Sequence, residues 1–403
     1  MPVDDAIGTL ALMLGAGLTA RLVADFARVP PMLLLIAAGA ILSPSIDVPL
    51  DGDGAQLLLT LGVSFILFHG GLQLSVSVLS RTAIGLGLLV VPGVLVTAAV
   101  TGAVAAWAFD VPLLTGLLIG AALAPTDPAI LIPLFDRLRL RPKLAETIVA
   151  ESALNDPTGA VLALAFAAAV LAGDASVGEP VVEFLEDVGI SLALGVVFGV
   201  LLALLISTRR AGVWRESAPL AVAIVVAGSF VSIDFAGGSG YLGAFLAGLI
   251  VSNMDELGLA MHSRHVDEMR SLVAAVSDVV VILVFVTLGA NLPWEALRDE
   301  LGPALLVVAA LIVVARPLTV ALCLLPDRRG RWTRSELIFM AWTRETGVLP
   351  AALAGILVGM GVPDADLVTV SVALALVVTV LLQATTKPWL ARRLRLLEPV
   401  GEP

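Results

Sequence analysis

Apolar runs bounded by charged or Gly/Pro-rich breaks recur along the whole chain. They fall at 5–22, 29–43, 54–79, 83–107, 112–135, 143–170, 180–207, 216–235, 239–253, 266–292, 302–324, 334–360 and 365–390. A helical span of the hydrocarbon core takes about 20 such residues. The pattern therefore predicts an all-α polytopic membrane protein of about 13 transmembrane helices, in which 29–43 and 239–253 are short. One domain, 1–403, is expected, with a first repeat over 5–170, a linking span at 180–207, a second repeat over 216–390 and no soluble domain. The acidic start, Met1-Pro-Val-Asp-Asp, has no positive n-region and reads as a short tail before the first span.

The polar breaks test that count, because a miscounted span would switch the side of every later loop. One set of alternate loops, with the carboxyl-terminal segment, holds 20 of the 23 basic residues; Arg28, Arg81, Arg209, Arg210 and Lys387 are among them. The other set holds only Arg298 and is acidic: Asp47, Asp51, Asp53, Glu179, Glu183, Glu186, Asp187, Glu295, Asp299, Glu300, Asp364 and Asp366. The positive-inside rule then puts the amino terminus outside and the carboxyl terminus in the cytoplasm of a multi-pass inner (plasma) membrane protein.

Composition narrows the classes further. The chain is 59% apolar and 14% charged, where a soluble domain carries about 25% charged residues. A mean hydropathy of +1.03 rules out a soluble enzyme. The net charge of −11, with no basic patch outside short loops, speaks against nucleic acid. Cys323 is the single cysteine, so no disulfide scaffold exists. No cofactor is expected.

Charges within spans each cost a few kcal/mol and ask for a reason. The set is Asp127, Glu151, Asp156, Asp278, Arg316, Arg344 and Glu345, with His69 as a titratable addition. The fifth span is interrupted by Ala124-Pro-Thr-Asp-Pro128, where two prolines preclude a regular helix. Broken backbone at membrane depth is tolerated where it is buried in protein or lines a cavity, and its freed carbonyls can coordinate a cation. The plainer alternative is a kink with Asp127 capping the following half-helix. In the sixth span, ESALNDPTG (Glu151 to Gly159) puts Ser152, Asn155 and Asp156 on neighbouring faces of one helix, about 20 Å along from Lys143. The twelfth span reads TRETGVLPAALAG from Thr343, with Gly347-Val-Leu-Pro350 as a second interruption. If spans 1–6 and 8–13 are oppositely directed repeats, both interruptions fall at the fifth position, which points to an inverted-repeat transporter with crossing broken helices. The third and tenth spans also end alike, at Gly70-Gly-Leu-Gln-Leu74 and Leu288-Gly-Ala-Asn-Leu292.

The paired TDP and ND motifs, with a late broken helix bearing an arginine, resemble the monovalent cation/proton antiporter superfamily, and within it the NhaP-like sodium/proton antiporters. The resemblance covers essentially the whole chain. It implies the Na+/H+ antiporter-like fold, a homodimer, and a six-helix core bundle that moves against a dimerisation domain. The implied activity is exchange of sodium or lithium for protons, electroneutral and 1:1, by elevator-type alternating access. Carried over to these positions, the resemblance makes Asp156 the carboxylate that binds cation and proton in turn. Asn155 marks the electroneutral type; Thr126 and Ser152 give oxygens to the transported ion, and Asp127 balances the half-helix ends. Glu151 is expected to pair with Arg344 between the sixth and twelfth spans.

Two departures qualify the resemblance. Many relatives carry an acid where His69 stands, so His69 is either a modulator of pH response or a buried hydrogen-bonded histidine. The RETG motif at Arg344 differs from that of typical sodium exchangers, which keeps open a potassium/proton antiporter or potassium efflux system on the same fold. Asp278 and Arg316 read as structural residues, with Arg316 binding a released carbonyl or Asp278. His262 and His265 read as solvated loop residues. From other classes, an intramembrane aspartyl protease lacks its Gly-x-Gly-Asp context around Asp127 and Asp156, and a zinc enzyme lacks HExxH or a Cys/His cluster.

Overall fold

The computed structural model describes residues 3–398 except 28, 47, 51, 78–81, 174–175, 209–211 and 262. Of the residues named above, Arg28, Asp47, Asp51, Arg81, Arg209, Arg210 and His262 thus lie outside the described residues. The helices run α1 (Val3–Ala27), α2 (Pro31–Leu42), α3 (Asp53–Leu72), α4 (Ala83–Val90), α5 (Pro92–Phe109) and α6 (Leu113–Ala122). Next come α7 (Pro128–Leu138), α8 (Pro142–Ala172), α9 (Gly178–Ile206), α10 (Ala218–Phe235), α11 (Gly240–Ser252) and α12 (Ser263–Ala290). The rest are α13 (Trp294–Asp299), α14 (Leu301–Ala310), α15 (Arg316–Leu324), α16 (Arg334–Trp342), α17 (Val348–Gly359), α18 (Ala365–Thr379) and α19 (Thr385–Arg393). A π-turn at Leu311–Ala315 joins α14 to α15, and another at Val380–Ala384 joins α18 to α19.

Among the described residues, nine helical stretches are long and apolar enough to cross a membrane, three of them running through α4–α5, α14–α15 and α18–α19. Four shorter apolar helices, α2, α6, α11 and α17, accompany them. At 1.5 Å per residue, the 12 residues of α2 reach about 18 Å, short of the roughly 30 Å hydrocarbon core. The two runs singled out as short in the sequence are thus short helices. Within the third run α3 ends at Leu72, where Gln73 and Leu74 turn back onto Gly70 and Gly71. The matching motif behaves alike: α12 ends at Ala290, and Leu292 N–H returns to Gly289 O as Leu74 N–H does to Gly71 O.

By its contacts the chain forms two compact units. The first comprises Met1–Val76, Gly178–Pro293 and Ala351–Ala365. Its buried core gathers Phe68 from α3, Leu202 from α9, Val222 and Val226 from α10, Val251 from α11 and Val273 from α12. An Arg21–Asp278 ion pair of 3.2 Å, partly exposed, links α1 to α12 within it.

The second unit comprises Ser77–Val177, Trp294–Pro350 and Asp366–Pro403, and it holds every break in the helices discussed below. Its apolar core packs Leu131 and Phe135 of α7, Leu144 and Ile148 of α8, Val320 of α15, Phe339 of α16 and Leu396 beyond α19. An isolated antiparallel bridge between Leu140 and Leu397 closes the same end. This packing anchors the two half-helices α7 and α16, and so the extended segments that adjoin them.

Candidate ion-binding site

The first break follows from Pro-Thr-Asp-Pro. Helix α6 stops at Ala122, residues 124–127 are extended, and α7 begins at Pro128, the first helical position that proline favours. Asp127 therefore stands at the amino-terminal end of α7, where the helix dipole is positive. The carbonyls at the opposite end, on Leu123 and Ala124, accept from the Arg344 guanidinium, the Leu123 bond measuring 3.2 Å. A negative side chain thus faces one half-helix end and a positive one the other.

The second break spans residues 343–347, four residues before the predicted Gly-Val-Leu-Pro. Pro350 sits within the first turn of α17, where its missing N–H has no intrahelical partner to lose. Helix α16 starts in a capping box formed by Thr333 and Glu336. The two extended segments meet through one main-chain bond, Asp127 N–H to Glu345 O at 3.1 Å. Closeness here requires glycine: a Cβ on Gly347 would run into the Asp127 side chain, and one on Gly159 would lie 2.6 Å from Pro125. Overpacking of this kind costs about 1–3 kcal/mol. Gly347→Ala is therefore expected to slow cation-driven proton flux about tenfold. A parental rate from folded Gly347→Ala protein would show that the crossing is looser than this geometry.

Asp156 lies beside Pro157, the midpoint of the 31-residue α8. The preceding residue, Asn155, grips the first break: Thr126 N–H donates to Asn155 Oδ1 at 3.2 Å, and Asn155 Nδ2 donates to Thr126 Oγ1 at 3.0 Å. Thr126 Oγ1 donates to Ser152 Oγ at 2.9 Å. The Asp156 carboxylate interacts with the Thr126 backbone N–H and with the Asp127 carboxylate. Its Oδ1 is buried with no hydrogen-bond donor among the described residues. Thr126, Asp127, Ser152, Asn155 and Asp156 are all buried. The five residues singled out for ion binding are thus brought together on α8 and the first break. Two carboxylates, two hydroxyls and an amide form a set of hard oxygen donors.

The expected Glu151–Arg344 pair is not formed. Glu151 is held by both terminal nitrogens of Arg316, Nη2 to Oε2 at 2.9 Å, while Arg316 Nε donates to Met340 O at 2.9 Å. Arg344 is in the extended second break, and its side chain is committed to the α6 carbonyls. Arg316 instead directly follows the π-turn at Leu311–Ala315, and it ties α8, α15 and α16 together. A second correction concerns Lys387, counted above among cytoplasmic charges. It is fully buried and pairs with Glu345, also fully buried. Asp278 bonds Arg21, not Arg316, and His265 pairs with Glu268 at 3.3 Å. His69 lies in the first unit on α3, its Nδ1 buried without a hydrogen-bond partner among the described residues and Asp278 within electrostatic range.

The transmembrane sodium/hydrogen exchanger family matches residues 10–393. The chain belongs to that family. It is accordingly a multi-pass membrane transporter, not an enzyme, and the protease alternative falls away. Within the family the chain is 29% identical to the "Probable Na(+)/H(+) antiporter 2" of Methanocaldococcus jannaschii, over 86% of this chain and 83% of that one. It is 30% identical to the K(+)/H(+) antiporter NhaP2 of Shewanella sp. (strain ANA-3), over 90% of this chain and 62% of that relative. Among solved structures, the sodium proton antiporter MjNhaP1 of Methanocaldococcus jannaschii at pH 8 superposes with a TM-score of 0.81 at 26% identity. That match covers 98% of this chain and 99% of the other.

Proposed function

We propose that this family member exchanges one monovalent cation, sodium or lithium, for one proton across the plasma membrane, and that Asp156 carries either ion. The observation that carries this reading is the buried Asp156 Oδ1 without a donor among the described residues, set at the middle of α8 against Thr126 and Asp127. A carboxylate so placed can be neutralised by a proton or by a cation, and Thr126 and Ser152 supply neighbouring oxygens. The transporter works as a homodimer with its amino terminus outside and carboxyl terminus cytoplasmic. The unit that bears the site shuttles it across the bilayer in elevator-type alternating access. Potassium is the second reading, supported by the relatives named as K(+)/H(+) antiporters. Proteoliposomes carrying a pH gradient test both: proton efflux should start on addition of sodium, lithium or potassium chloride, and the active salts name the substrate. No response to any of the three would end the proposal.

Electroneutrality is supported by the buried charges around the two breaks. Glu151 pairs with Arg316 and Glu345 with Lys387, each summing to zero. Arg344 offsets one of Asp127 and Asp156, so a single negative charge remains for one proton or one cation. The moving unit then carries the same net charge in both directions. An imposed voltage acts at about 2.3 kcal/mol per net charge per 100 mV, so it should leave the rate nearly unchanged. Valinomycin-clamped proteoliposomes, with sodium as test cation, check this. A rate that changes several-fold with voltage would mean a second titrating group.

A further inference from the structure

The buried Glu345–Lys387 pair has no evident value for stability. Beyond each other, neither the carboxylate nor the ammonium has a hydrogen-bond partner among the described residues. Burying two charges is costly, and their attraction repays it only when further hydrogen bonds satisfy them. Such a pair can instead be retained for the geometry it fixes. What it fixes here is legible from its neighbours. Three residues four apart at the end of the last long helix, Thr379, Gln383 and Lys387, meet three successive residues of the second break. Arg344 N–H donates to Gln383 Oε1 at 3.2 Å, Glu345 pairs with Lys387, and Thr346 N–H donates to Thr379 Oγ1 at 3.2 Å. Just before the break, Trp342 Nε1 donates to Thr386 Oγ1 at 2.8 Å. The π-turn at Val380–Ala384 falls within this rail, as such turns do where a helix is adjusted to a special role.

The consequence reaches the ion site through one bond. The carbonyl of Glu345, the residue at the centre of the rail, holds the Asp127 N–H. The Thr126–Asp127 segment is therefore gripped from two sides, by Asn155 on α8 and by the second break, whose own backbone hangs on the last helix. We propose that Lys387, with Gln383 and Thr379, is a positioning residue for the ion site: it sets the height of the Glu345 peptide, and through it the placement of Asp127 and Thr126 around the ion. Lys387 touches neither cation nor proton. The claim rests on the reading of Asp156 as the exchanging carboxylate.

The test is the concentration dependence of cation-driven proton flux in proteoliposomes, for Glu345→Leu/Lys387→Met and for Thr379→Val. The double variant replaces a costly pair by apolar packing, so it should melt at the parental temperature or above. Its apparent cation KM should nevertheless rise about tenfold, the worth of one lost positioning bond, with a smaller change in maximal rate. Lys387→Arg, which keeps the pair, should stay near the parental KM. Thr379→Val is nearly isosteric, and removing only its hydroxyl should raise the KM about threefold. It serves as the deciding variant if the double replacement does not fold. A parental KM in folded Glu345→Leu/Lys387→Met, or in Thr379→Val when that variant decides, would overturn the positioning role. Parent protein that moves no protons with any cation would instead defeat the antiport reading itself, and Asp156→Asn run alongside keeps the two failures apart.

Discussion

Asp156→Asn is expected to abolish cation-driven proton movement while the protein stays folded and inserted. Asparagine keeps the shape of the side chain but has neither a titratable proton nor a charge to offset a cation. Stranding a buried charge without its partner typically costs about 3–5 kcal/mol. For the cation this corresponds to more than about 100-fold in affinity, which places transport at background. Stability should move the other way. The native Asp156 Oδ1 lacks a donor among the described residues, so its replacement removes a buried ionisable group without breaking a hydrogen bond made by that atom. A melting temperature at or above the parental value, together with no flux, is the expected pair of results. Appreciable flux from the purified variant would mean that another residue carries the exchange.

The second large effect concerns stability. Arg316→Met should destabilise the protein by about 3–5 kcal/mol, because Glu151 would keep its charge in a buried site with its bidentate partner gone. Glu151→Gln should cost a comparable amount, since it strands the arginine. The double replacement should recover much of either loss. Recovery will be incomplete, because Met340 O also loses the Arg316 Nε–H and an unmet buried acceptor costs about 1–3 kcal/mol. Arg344→Met combined with Glu151→Gln should show no such recovery, since Arg344 serves the α6 carbonyls instead. Thermal melts of the two double-mutant cycles decide between the pairings. Recovery in the Arg344 cycle and additivity in the Arg316 cycle would reverse the assignment.

What the sequence made legible follows the range of the physics involved. The first break was readable because proline acts locally: Pro125 and Pro128 leave Thr126 and Asp127 no regular helix to join. The second was only half readable. Gly347 and Pro350 mark a disturbance, yet a proline in the first turn of a helix breaks nothing, so the extended stretch lies at 343–347. The pairing of Glu151 was not readable at all. Two arginines in later spans could reach it, and the choice is made by how those spans pack, where a π-turn at Leu311–Ala315 directly before Arg316 has no signature in the run of apolar residues. Lys387 was obscured by its surroundings, since Arg392, Arg393 and Arg395 follow closely and suggest one cytoplasmic cluster. Its partner Glu345 lies 42 residues earlier in the sequence, across a fold that spacing cannot supply. Local chain-breaking chemistry and whole-span hydropathy thus survive in the sequence, whereas contacts between distant spans need the packed structure.

The central claim is that one carboxylate, Asp156, holds either a proton or a cation. The measurement that tests it most directly is the apparent cation KM as a function of pH in proteoliposomes. Competition for one site predicts that the KM rises as pH falls, approaching about tenfold per pH unit where the proton-bound form dominates, while the maximal rate at saturating cation changes little. A KM that stays constant with pH while the maximal rate falls would contradict the account, because proton and cation would then occupy separate sites.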